Sequence, residues 1–233
     1  MHAARSGSVD AVKVLVRAGA NVNAKESWNG QTALMWAAAE GHAPVVEMLL
    51  ELGAATLGES GARPMRPGIR RAWPGARLAA PAYPVRCTPG DNLAIHVAVA
   101  RAPEGSALVV DVGDLRELGY WGEVLTTAAE ARGLTGLVID GGVRDVSALE
   151  AHGFPVFCST IALRGASKEK PGAINVPIRC GNAAVVRNDW VVGDADGVVV
   201  IGGADFAAVL EAAKAREEKE ARMFQALKNG KTT

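Results

Sequence analysis

Residues 119–145 read GYWGEVLTTAAEARGLTGLVIDGGVRD, and this stretch decides the fold of the chain. It predicts a Gly-rich turn, an amphipathic helix, a buried strand, a second Gly turn and an Arg-Asp pair. The turn before the helix directs free N–H groups outward, which favours anion binding. The turn after the strand sets Arg144 beside Asp145 at a strand end, and the carboxylate of Glu123 is predicted to face the same cavity. An anion cradle, a guanidinium and two carboxylates are typical of a metal site that handles an oxo-acid.

Strand and helix patterns alternate on both sides of this stretch. Apolar runs predict buried strands at 106–113, 135–142 and 155–163, and amphipathic runs predict helices at 93–102, 123–133, 145–153 and 205–230. Residues 175–201 form a run of short strands, in which Asp196-Gly197 predicts a tight hairpin turn. Strands that alternate with helices and then give way to a β-rich segment indicate a layered α/β domain.

Composition argues against several classes of partner. Lysine plus arginine and aspartate plus glutamate number 25 each, so no global field attracts nucleic acid or an anionic membrane. The cysteines Cys87, Cys158 and Cys180 form no C-x-x-C pair, which predicts a reduced compartment and no metal or nucleophilic role. Met1 is not followed by a basic and then apolar leader, and no apolar run reaches the roughly 20 residues that span a bilayer. We therefore expect a soluble, cytoplasmic protein.

The first fifty residues contain an internal repeat. Residues 3–20 align with residues 37–54, and the QTALMWAA run stands where ankyrin repeats carry TPLHxAA. This segment resembles ankyrin repeats but covers fewer than two full units, whereas about three are needed for stability. We expect residues 1–54 to form all-α helix pairs that pack on the following domain or on another subunit. The alternative is that these helix pairs bind a separate protein partner. Residues 55–233 form the second domain. The boundary is soft, because residues 44–61 are expected to serve both as the end of the ankyrin segment and as the opening helix of the second domain.

Arg144 and Asp145 also admit a purely structural interpretation. Asp145 is a suitable N-cap for a helix that starts at Val146, and Arg144 would then be an ordinary surface cation. The WGE run at 121–123 precedes the pair by one helix and one strand, which predicts that both turns lie at the same edge of the sheet. Ligands usually bind at that edge in α/β folds. No dinucleotide-binding loop or P-loop spacing is present, so a nucleotide cofactor is not predicted.

Six runs of residues are shared with one known family. They are ELGAATLGE, PGDNLAIHVAV, GYWGEVLTTAAEARGLTGLVIDGGVRD, GFPVF, NVPIRCG and VVGDADGVVVI. Through them, residues 45–228 resemble the family that contains the regulator of ribonuclease E activity A and the 4-hydroxy-4-methyl-2-oxoglutarate aldolases. The resemblance implies a layered α/β/α domain with a β-rich, swivelling-type core and a homotrimer or hexamer with active sites between subunits. Aldolase members carry an acidic residue and then an Arg-Asp pair, which Glu123, Arg144 and Asp145 match.

The resemblance also implies a role for each of these residues. Asp145 would bind Mg²⁺ or Mn²⁺, and Glu123 would hold a metal-bound water. Arg144 would grip the substrate carboxylate and steady the enolate oxygen, for which a planar guanidinium is suited. The metal would polarise the 2-oxo group, and the metal-bound water would then protonate the enolate. Backbone N–H groups at the helix N-terminus would bind the pyruvyl carboxylate, and these belong to Gly122, Glu123, Val124 and Leu125.

Further residues match family positions near the cavity. In the family, a glutamate from a neighbouring subunit's C-terminal helix assists the reaction. Glu220 is the first candidate for this glutamate and would contact the metal through a water, and Glu217 is the second candidate. Either glutamate is equally well explained as part of a solvated helix face. Glu59 and Asn92 also match, although Asn92 is equally suited to a turn or a helix cap.

The chain departs from the family at some positions, and these keep other functions open. Ala148 stands where many aldolases have an acidic residue, and an ankyrin segment replaces the usual leading segment. The expected activity is that of a metal-dependent class II aldolase that forms pyruvate and also decarboxylates oxaloacetate. The alternatives are a non-catalytic, protein-binding regulator of the ribonuclease-regulator type and an ankyrin-tethered scaffold that only trimerises.

Overall fold

Residues 43–230 are described by the computed structural model. The first ankyrin-like copy at 3–20 and the start of the second copy lie outside the described residues. The described chain divides between Met48 and Leu49, and residues 49–230 belong to a single compact unit.

Four parallel strands and three helices carry the predicted alternation. The strands are β3 (Leu78–Arg86), β4 (Ala107–Asp111), β6 (Gly136–Val143) and β7 (Val156–Ile161), side by side in that order. They are joined by the helices α2 (Leu93–Arg101), α3 (Glu123–Ala131) and α4 (Val146–His152). Strand β5 (Gly119–Trp121) precedes α3 and pairs in parallel with the end of β6. The carboxyl ends of β5 and β6 therefore lie together, where α/β folds usually bind ligands.

Antiparallel strands extend both sides of this parallel core. They are β1 (Arg63–Pro64), β2 (Arg70–Arg71), β8 (Ala173–Ile174), β11 (Trp190–Gly193) and β12 (Val198–Ile201). A separate two-stranded sheet consists of β9 (Ile178–Cys180) and β10 (Ala183–Val185). Strands β11 and β12 form the hairpin predicted at Asp196-Gly197, with Gly193 opposite Val198. The β-rich second half of the domain is thus confirmed.

The sheet curls until strands from distant positions touch. A Cβ atom on Gly193 of β11 would lie 2.7 Å from Phe157 Cζ of β7, although three strands separate β11 from β7 in the sheet. Arg70 of β2 donates to the carbonyl of Asp196 in the β11–β12 loop. The concave face encloses an apolar cluster that includes Phe157 and Val191, whereas α2, α3 and α4 cover the other face of the parallel strands. This half-barrel with helices confirms the predicted α/β class.

Two further helices lie at the ends of the described chain. Helix α1 (Ala43–Glu59) crosses the predicted soft boundary and is interrupted at Gly53, whose φ of 73° is the left-handed conformation that favours glycine. Helix α5 (Phe206–Lys228) packs Phe206 on Trp190 of β11 with ring centroids 5.4 Å apart. No helix within residues 43–230 combines the length and apolar character needed to cross a bilayer.

The two glycine turns predicted in the 119–145 stretch are wrong, because most of their residues belong to strands. Gly119 opens β5, and Gly141 and Gly142 lie inside β6. The sheet needs glycine there for close packing, since a Cβ on Gly141 would lie 2.9 Å from Val112 Cγ2. A Cβ on Gly142 would approach the side chain of Ala162 to 2.9 Å. The remaining turn before α3 is Gly122 alone.

Candidate active site at the carboxyl ends of β5 and β6

Asp145 adopts a backbone conformation that its sequence position did not suggest. It stands at the N-cap position of α4 with φ 59° and ψ 37°, a left-handed conformation uncommon outside glycine, and makes no side-chain capping bond. Its carboxylate turns towards α3, where Oδ2 accepts the N–H of Glu123 at 3.1 Å. Asp145 therefore occupies the predicted N-cap position of the helix that starts at Val146, but its side chain does not cap that helix. The Asp145 side chain instead links the end of β6 to the start of α3, at the sheet edge that the order of elements predicts.

Arg144 lies along a floor of glycines. Its Cγ would be 3.1 Å from a Cβ on Gly122, its Cδ 3.2 Å from one on Gly119, and its Nη1 3.3 Å from one on Gly165. The Nε atom is 3.7 Å from Asp145 Oδ2, and both side chains are between two and three fifths buried. The guanidinium is thus held beside the Asp145 carboxylate and remains accessible to a ligand.

Glu123 begins α3 next to this pair. Its own N–H already donates to Asp145, so this predicted member of the anion cradle is engaged. Val124 and Leu125 follow in the first helical turn, where N–H groups have no acceptor within the helix. The Glu123 carboxylate is 57% exposed and lies 3.8 Å from His152 Nε2, on the side of α4. The structure therefore brings the backbone of Gly122 and Glu123 to Arg144 and Asp145, whereas the Glu123 carboxylate lies beside His152.

Tyr120 and Asn92 support the strand that leads into this site. Asn92 Nδ2 donates to the carbonyl of Tyr120 at 2.9 Å, and the Asn92 side chain makes no capping bond to α2. The Tyr120 hydroxyl accepts the N–H of Gly90 and donates to the carbonyl of Leu115 at 2.6 Å. Asn92 is thus a buried positioning residue. Sequence reasoning missed Tyr120, which is fully buried and gives no periodic signal distinct from an ordinary core residue.

Asp91 fixes the loop that follows β7. The buried carboxylate accepts from Ser167 Oγ at 2.7 Å and from the N–H groups of Glu169 at 2.6 Å, Lys170 at 2.9 Å and Leu93 at 2.8 Å. Burial alone would raise the pKa of Asp91, but these hydrogen bonds outweigh it and hold the pKa below its ordinary value of 3.8. A carboxylate that accepts several N–H bonds anchors a loop only while it is ionised.

An Asp91→Asn variant is expected to be less stable than the native protein at neutral pH. The amide keeps one acceptor oxygen and loses the charge, so part of the loop anchorage goes. Because the folded pKa of Asp91 lies below the unfolded value, its contribution is present above pH 3.8 and is lost as the pH falls through the folded value. Melting temperatures of the two proteins should therefore differ by a constant amount from pH 7 to about pH 5 and begin to converge only as the pH falls below 3.8. A difference that does not shrink below pH 3.8 would contradict this role.

A cleft of about 1030 Å³ opens beside the glycine floor. Within it, Arg66 Nε donates to Asp140 Oδ2 at 3.3 Å, its Nη2 binds Oδ1, and Arg116 Nε lies 3.2 Å from Oδ1. Burial raises the pKa of Asp140, but the hydrogen bonds from Arg66 and the charges of both arginines lower it by more. The pKa of Asp140 therefore lies below its usual value. Sequence reasoning missed this cluster. In the sequence, Asp140 was the one residue that could have indicated this cluster, because an aspartate inside a buried apolar strand needs a charged or hydrogen-bonding partner.

The two other predicted glutamates lie in a second group. Arg216 of α5 pairs with Glu59 and, at 2.8 Å, with Glu220, and neither glutamate contacts Arg144 or Asp145 within residues 43–230. A single chain thus brings the Arg-Asp pair and Glu123 together without Glu59 or Glu220. Glu217 is exposed on the same helix.

The oxygen ligands available at this site suit an ion such as Mg²⁺, which keeps several waters, better than an ion bound by protein side chains alone. Residues 43–230 contain no group of three or more His, Cys, Asp or Glu side chains placed to hold a metal. Mg²⁺ usually keeps several waters and binds through one or two carboxylates together with its substrate. Asp145 is accessible, and Oδ2 is the atom that receives the Glu123 N–H, so the carboxylate can serve as one hard oxygen ligand. Such a site remains open on the substrate side.

Comparisons with known proteins agree with this architecture. The RraA-like family model, described as Aldolase/RraA, matches residues 52–200, and a model of ankyrin repeats matches residues 1–59. A Halalkalibacterium halodurans protein provisionally named 4-hydroxy-4-methyl-2-oxoglutarate aldolase is 37% identical over 147 residues, which cover 63% of this chain and 70% of that protein.

Two solved structures share the fold. An uncharacterized protein from Pseudomonas syringae pv. tomato matches with a TM-score of 0.71 and 27% identity over 81% of this chain and 94% of its own. Streptomyces coelicolor RraAS2, described as an unusual member of the RNase ES inhibitor RraA protein family, matches with a TM-score of 0.68 and 26% identity over 78% of this chain and 98% of its own. Both resemblances seen in the sequence are thus confirmed, and the chain belongs to the Aldolase/RraA family.

Proposed function

We propose that the chain is a divalent-metal-dependent lyase that cleaves 4-hydroxy-4-methyl-2-oxoglutarate-type acids to pyruvate and also decarboxylates oxaloacetate. The observation that carries the proposal is the turn of the Asp145 carboxylate towards the N-terminus of α3, beside the accessible guanidinium of Arg144. The provisional aldolase name of the Halalkalibacterium halodurans relative supports the same reaction class.

The proposed reaction breaks the bond between C3 and C4 of the substrate. The 4-hydroxyl loses its proton, the C3–C4 electron pair moves into the 2-oxo group, and C4 leaves as a ketone. What remains is the enolate of pyruvate, which takes a proton at C3. Decarboxylation of oxaloacetate ends in the same enolate, with carbon dioxide as the leaving group, so one site serves both reactions.

The residues of the site have separate tasks in this scheme. The N–H groups at the start of α3, at Val124 and Leu125, bind the 2-oxo acid's carboxylate at the positive end of the helix. Arg144 donates to the same carboxylate and to the oxygen on which enolate charge develops. Glu123 positions a water for the proton transfers. A divalent cation bound at Asp145 would supply Lewis-acid polarisation of the 2-oxo group.

Arg144→Lys is expected to lower kcat/KM for pyruvate release about 100-fold, which corresponds to about 2.7 kcal/mol of lost transition-state stabilisation. Lysine keeps the positive charge but lacks the planar pair of N–H donors of arginine. Its side chain also makes less contact with the glycines that Arg144 packs on. Pyruvate from 4-hydroxy-4-methyl-2-oxoglutarate is measured with lactate dehydrogenase and NADH. Arg132→Lys, at the C-terminal end of α3, is the matched control and should behave as the native protein. Equal activity of the two variants would contradict the role of Arg144.

A non-catalytic regulator is the second candidate, and the likeness to the RNase ES inhibitor family member from Streptomyces coelicolor favours it. A regulator requires neither the strained Asp145 nor its alignment with Arg144. Absence of pyruvate formation with every divalent metal tested would favour this candidate.

We also propose that the chain assembles as a homotrimer or hexamer with active sites between subunits. Support comes from the outer half of α5, where Met223 and Phe224 are exposed although both are large and apolar. In such an assembly Glu220 or Glu217 of α5 would approach a neighbouring Asp145. Ankyrin repeats at 1–59 are a further candidate surface for a protein partner.

A further inference from the structure

A continuous run of hydrogen bonds lies beneath the start of α3. The Trp121 indole Nε1–H donates to Thr126 Oγ1 at 2.7 Å, and the Thr126 hydroxyl donates to the carbonyl of Gly122 at 3.2 Å. The peptide group that follows Gly122 carries the N–H of Glu123, which donates to Asp145 Oδ2. A buried indole is therefore connected to the Asp145 carboxylate through one side-chain hydroxyl and one peptide group.

Packing sets the direction of the first two bonds in this run. Trp121 is 1% exposed and Thr126 is fully buried, so neither polar group has access to bulk water. The indole ring stacks on Phe154, with ring centroids 6.0 Å apart and an interplanar angle of 13°, and this stack fixes its orientation. An indole N–H only donates and needs an acceptor when buried. The Thr126 oxygen therefore accepts from the indole, and its own proton remains for the carbonyl of Gly122.

The backbone of Trp121 also holds the other member of the Arg-Asp pair. Its carbonyl accepts the N–H of Arg144 at 2.9 Å, where β5 runs beside the end of β6. Trp121 thus contacts Arg144 directly and reaches Asp145 through the hydroxyl of Thr126. Both halves of the candidate site are oriented from one buried position.

Thr127 offers a contrast in the same helical turn. Its hydroxyl donates to the carbonyl of Glu123 at 3.1 Å, the usual contact of a helical threonine with the residue four positions earlier. Thr127 is exposed, so water competes for its hydroxyl. Thr126 makes the same kind of contact to Gly122, but its hydroxyl is enclosed and is held by the indole of Trp121.

We propose that Trp121 and Thr126 are positioning residues for the Asp145 carboxylate. They act through the peptide group between Gly122 and Glu123, because a hydrogen bond accepted by its carbonyl strengthens the bond that its N–H donates. The same peptide group opens α3 and so directs the free N–H groups of the first helical turn. The expected effect on turnover rests on the proposed function, whereas the effect on the Glu123 N–H is independent of any reaction.

Thr126→Val tests this role, because valine has the shape of threonine but lacks the hydroxyl. Amide hydrogen exchange of Glu123, followed by NMR, should become at least about 5-fold faster relative to exchange of Val109 in the centre of β4. The Val109 amide corrects for a general loss of stability. The kcat for pyruvate release from 4-hydroxy-4-methyl-2-oxoglutarate should fall about 10-fold, since a small displacement of the groups at the site slows the reaction.

Thr126→Ser and Thr127→Val are the matched controls. Serine keeps the hydroxyl at position 126, so both Glu123 exchange and kcat should return to native values. Valine at position 127 removes the exposed hydroxyl of the same helical turn and should also leave both at native values. If Thr126 only filled space in the core, serine, which lacks the methyl group, would be more harmful than valine.

Trp121→Phe decides the outcome if Thr126→Val fails to fold. Phenylalanine keeps an aromatic ring against Phe154 and leaves no buried donor without an acceptor, and Glu123 exchange should become about 3-fold faster because the Thr126 hydroxyl is no longer fixed. Native exchange at Glu123 in the folded variants of Thr126→Val and Trp121→Phe, or an equal change in Thr127→Val, overturns the proposal. A native protein that forms no pyruvate removes the lyase, and the exchange of Glu123 still judges the positioning role.

Discussion

An Asp145→Asn chain is expected to release pyruvate about 10³-fold more slowly than the native protein, a loss of about 4 kcal/mol of transition-state stabilisation. Asparagine has the same shape, tolerates the left-handed backbone at φ 59°, and keeps an oxygen that can accept the Glu123 N–H. What it loses is the negative charge that would bind a divalent cation beside Arg144. The substitution thus separates chemistry from folding.

Two measurements accompany this prediction. The melting temperature of Asp145→Asn should stay close to that of the native protein, because the contact to α3 survives. Glu150→Gln removes an exposed carboxylate from the same short helix, α4, and should leave pyruvate release unchanged. Native-like turnover in Asp145→Asn would show that the Asp145 charge has no part in the reaction.

Gly122→Ala is expected to reduce kcat by about 100-fold through displacement of the Arg-Asp pair by roughly 1 Å. The added methyl group would meet Asp145 Oδ2 well inside van der Waals distance and would lie 3.1 Å from Arg144 Cγ. Gly122 has φ −170°, an extended conformation open to any residue, so the backbone itself is not strained by alanine. The whole effect should come from the two side chains that must move.

Gly58→Ala is the matched control for this change. Gly58 lies in α1, where a Cβ would make an ordinary contact of 3.6 Å with Val199 Cγ1 and where alanine is the better helix former. That variant should retain full activity with equal or higher stability. If Gly122→Ala also retained full activity, the Arg144 and Asp145 positions would not be critical for turnover.

Local patterns in the sequence account for the elements but not for the way they curl. The apolar run at 135–142 predicts β6, and the amphipathic run at 123–133 predicts α3, because each signal resides in neighbouring residues. The contact between Phe157 and Gly193 depends on residues 36 positions apart whose strands are separated by three others, and no periodicity encodes it. The half-barrel therefore became apparent only in the structure and through the family resemblance.

Part of the candidate site was predictable for the same reason. Glu123, Arg144 and Asp145 flank one helix and one strand, so their common edge follows from the order of elements. The conformation of Asp145 did not follow, because an aspartate before a helix predicts an N-cap, whereas tertiary contact with Glu123 N draws the side chain away. The pairing of Arg66 with Asp140 joins residues 74 positions apart and likewise lacks a local signal.

The most direct test of the central claim is pyruvate release from 4-hydroxy-4-methyl-2-oxoglutarate by the native chain, measured with Mg²⁺ and again after removal of divalent cations by EDTA. We expect two pyruvate molecules per substrate cleaved, loss of turnover without metal, recovery when Mg²⁺ is restored, and no such recovery in Asp145→Asn. Absence of pyruvate with Mg²⁺ or Mn²⁺, or a rate that neither EDTA nor the Asp145 substitution changes, would contradict the proposed lyase.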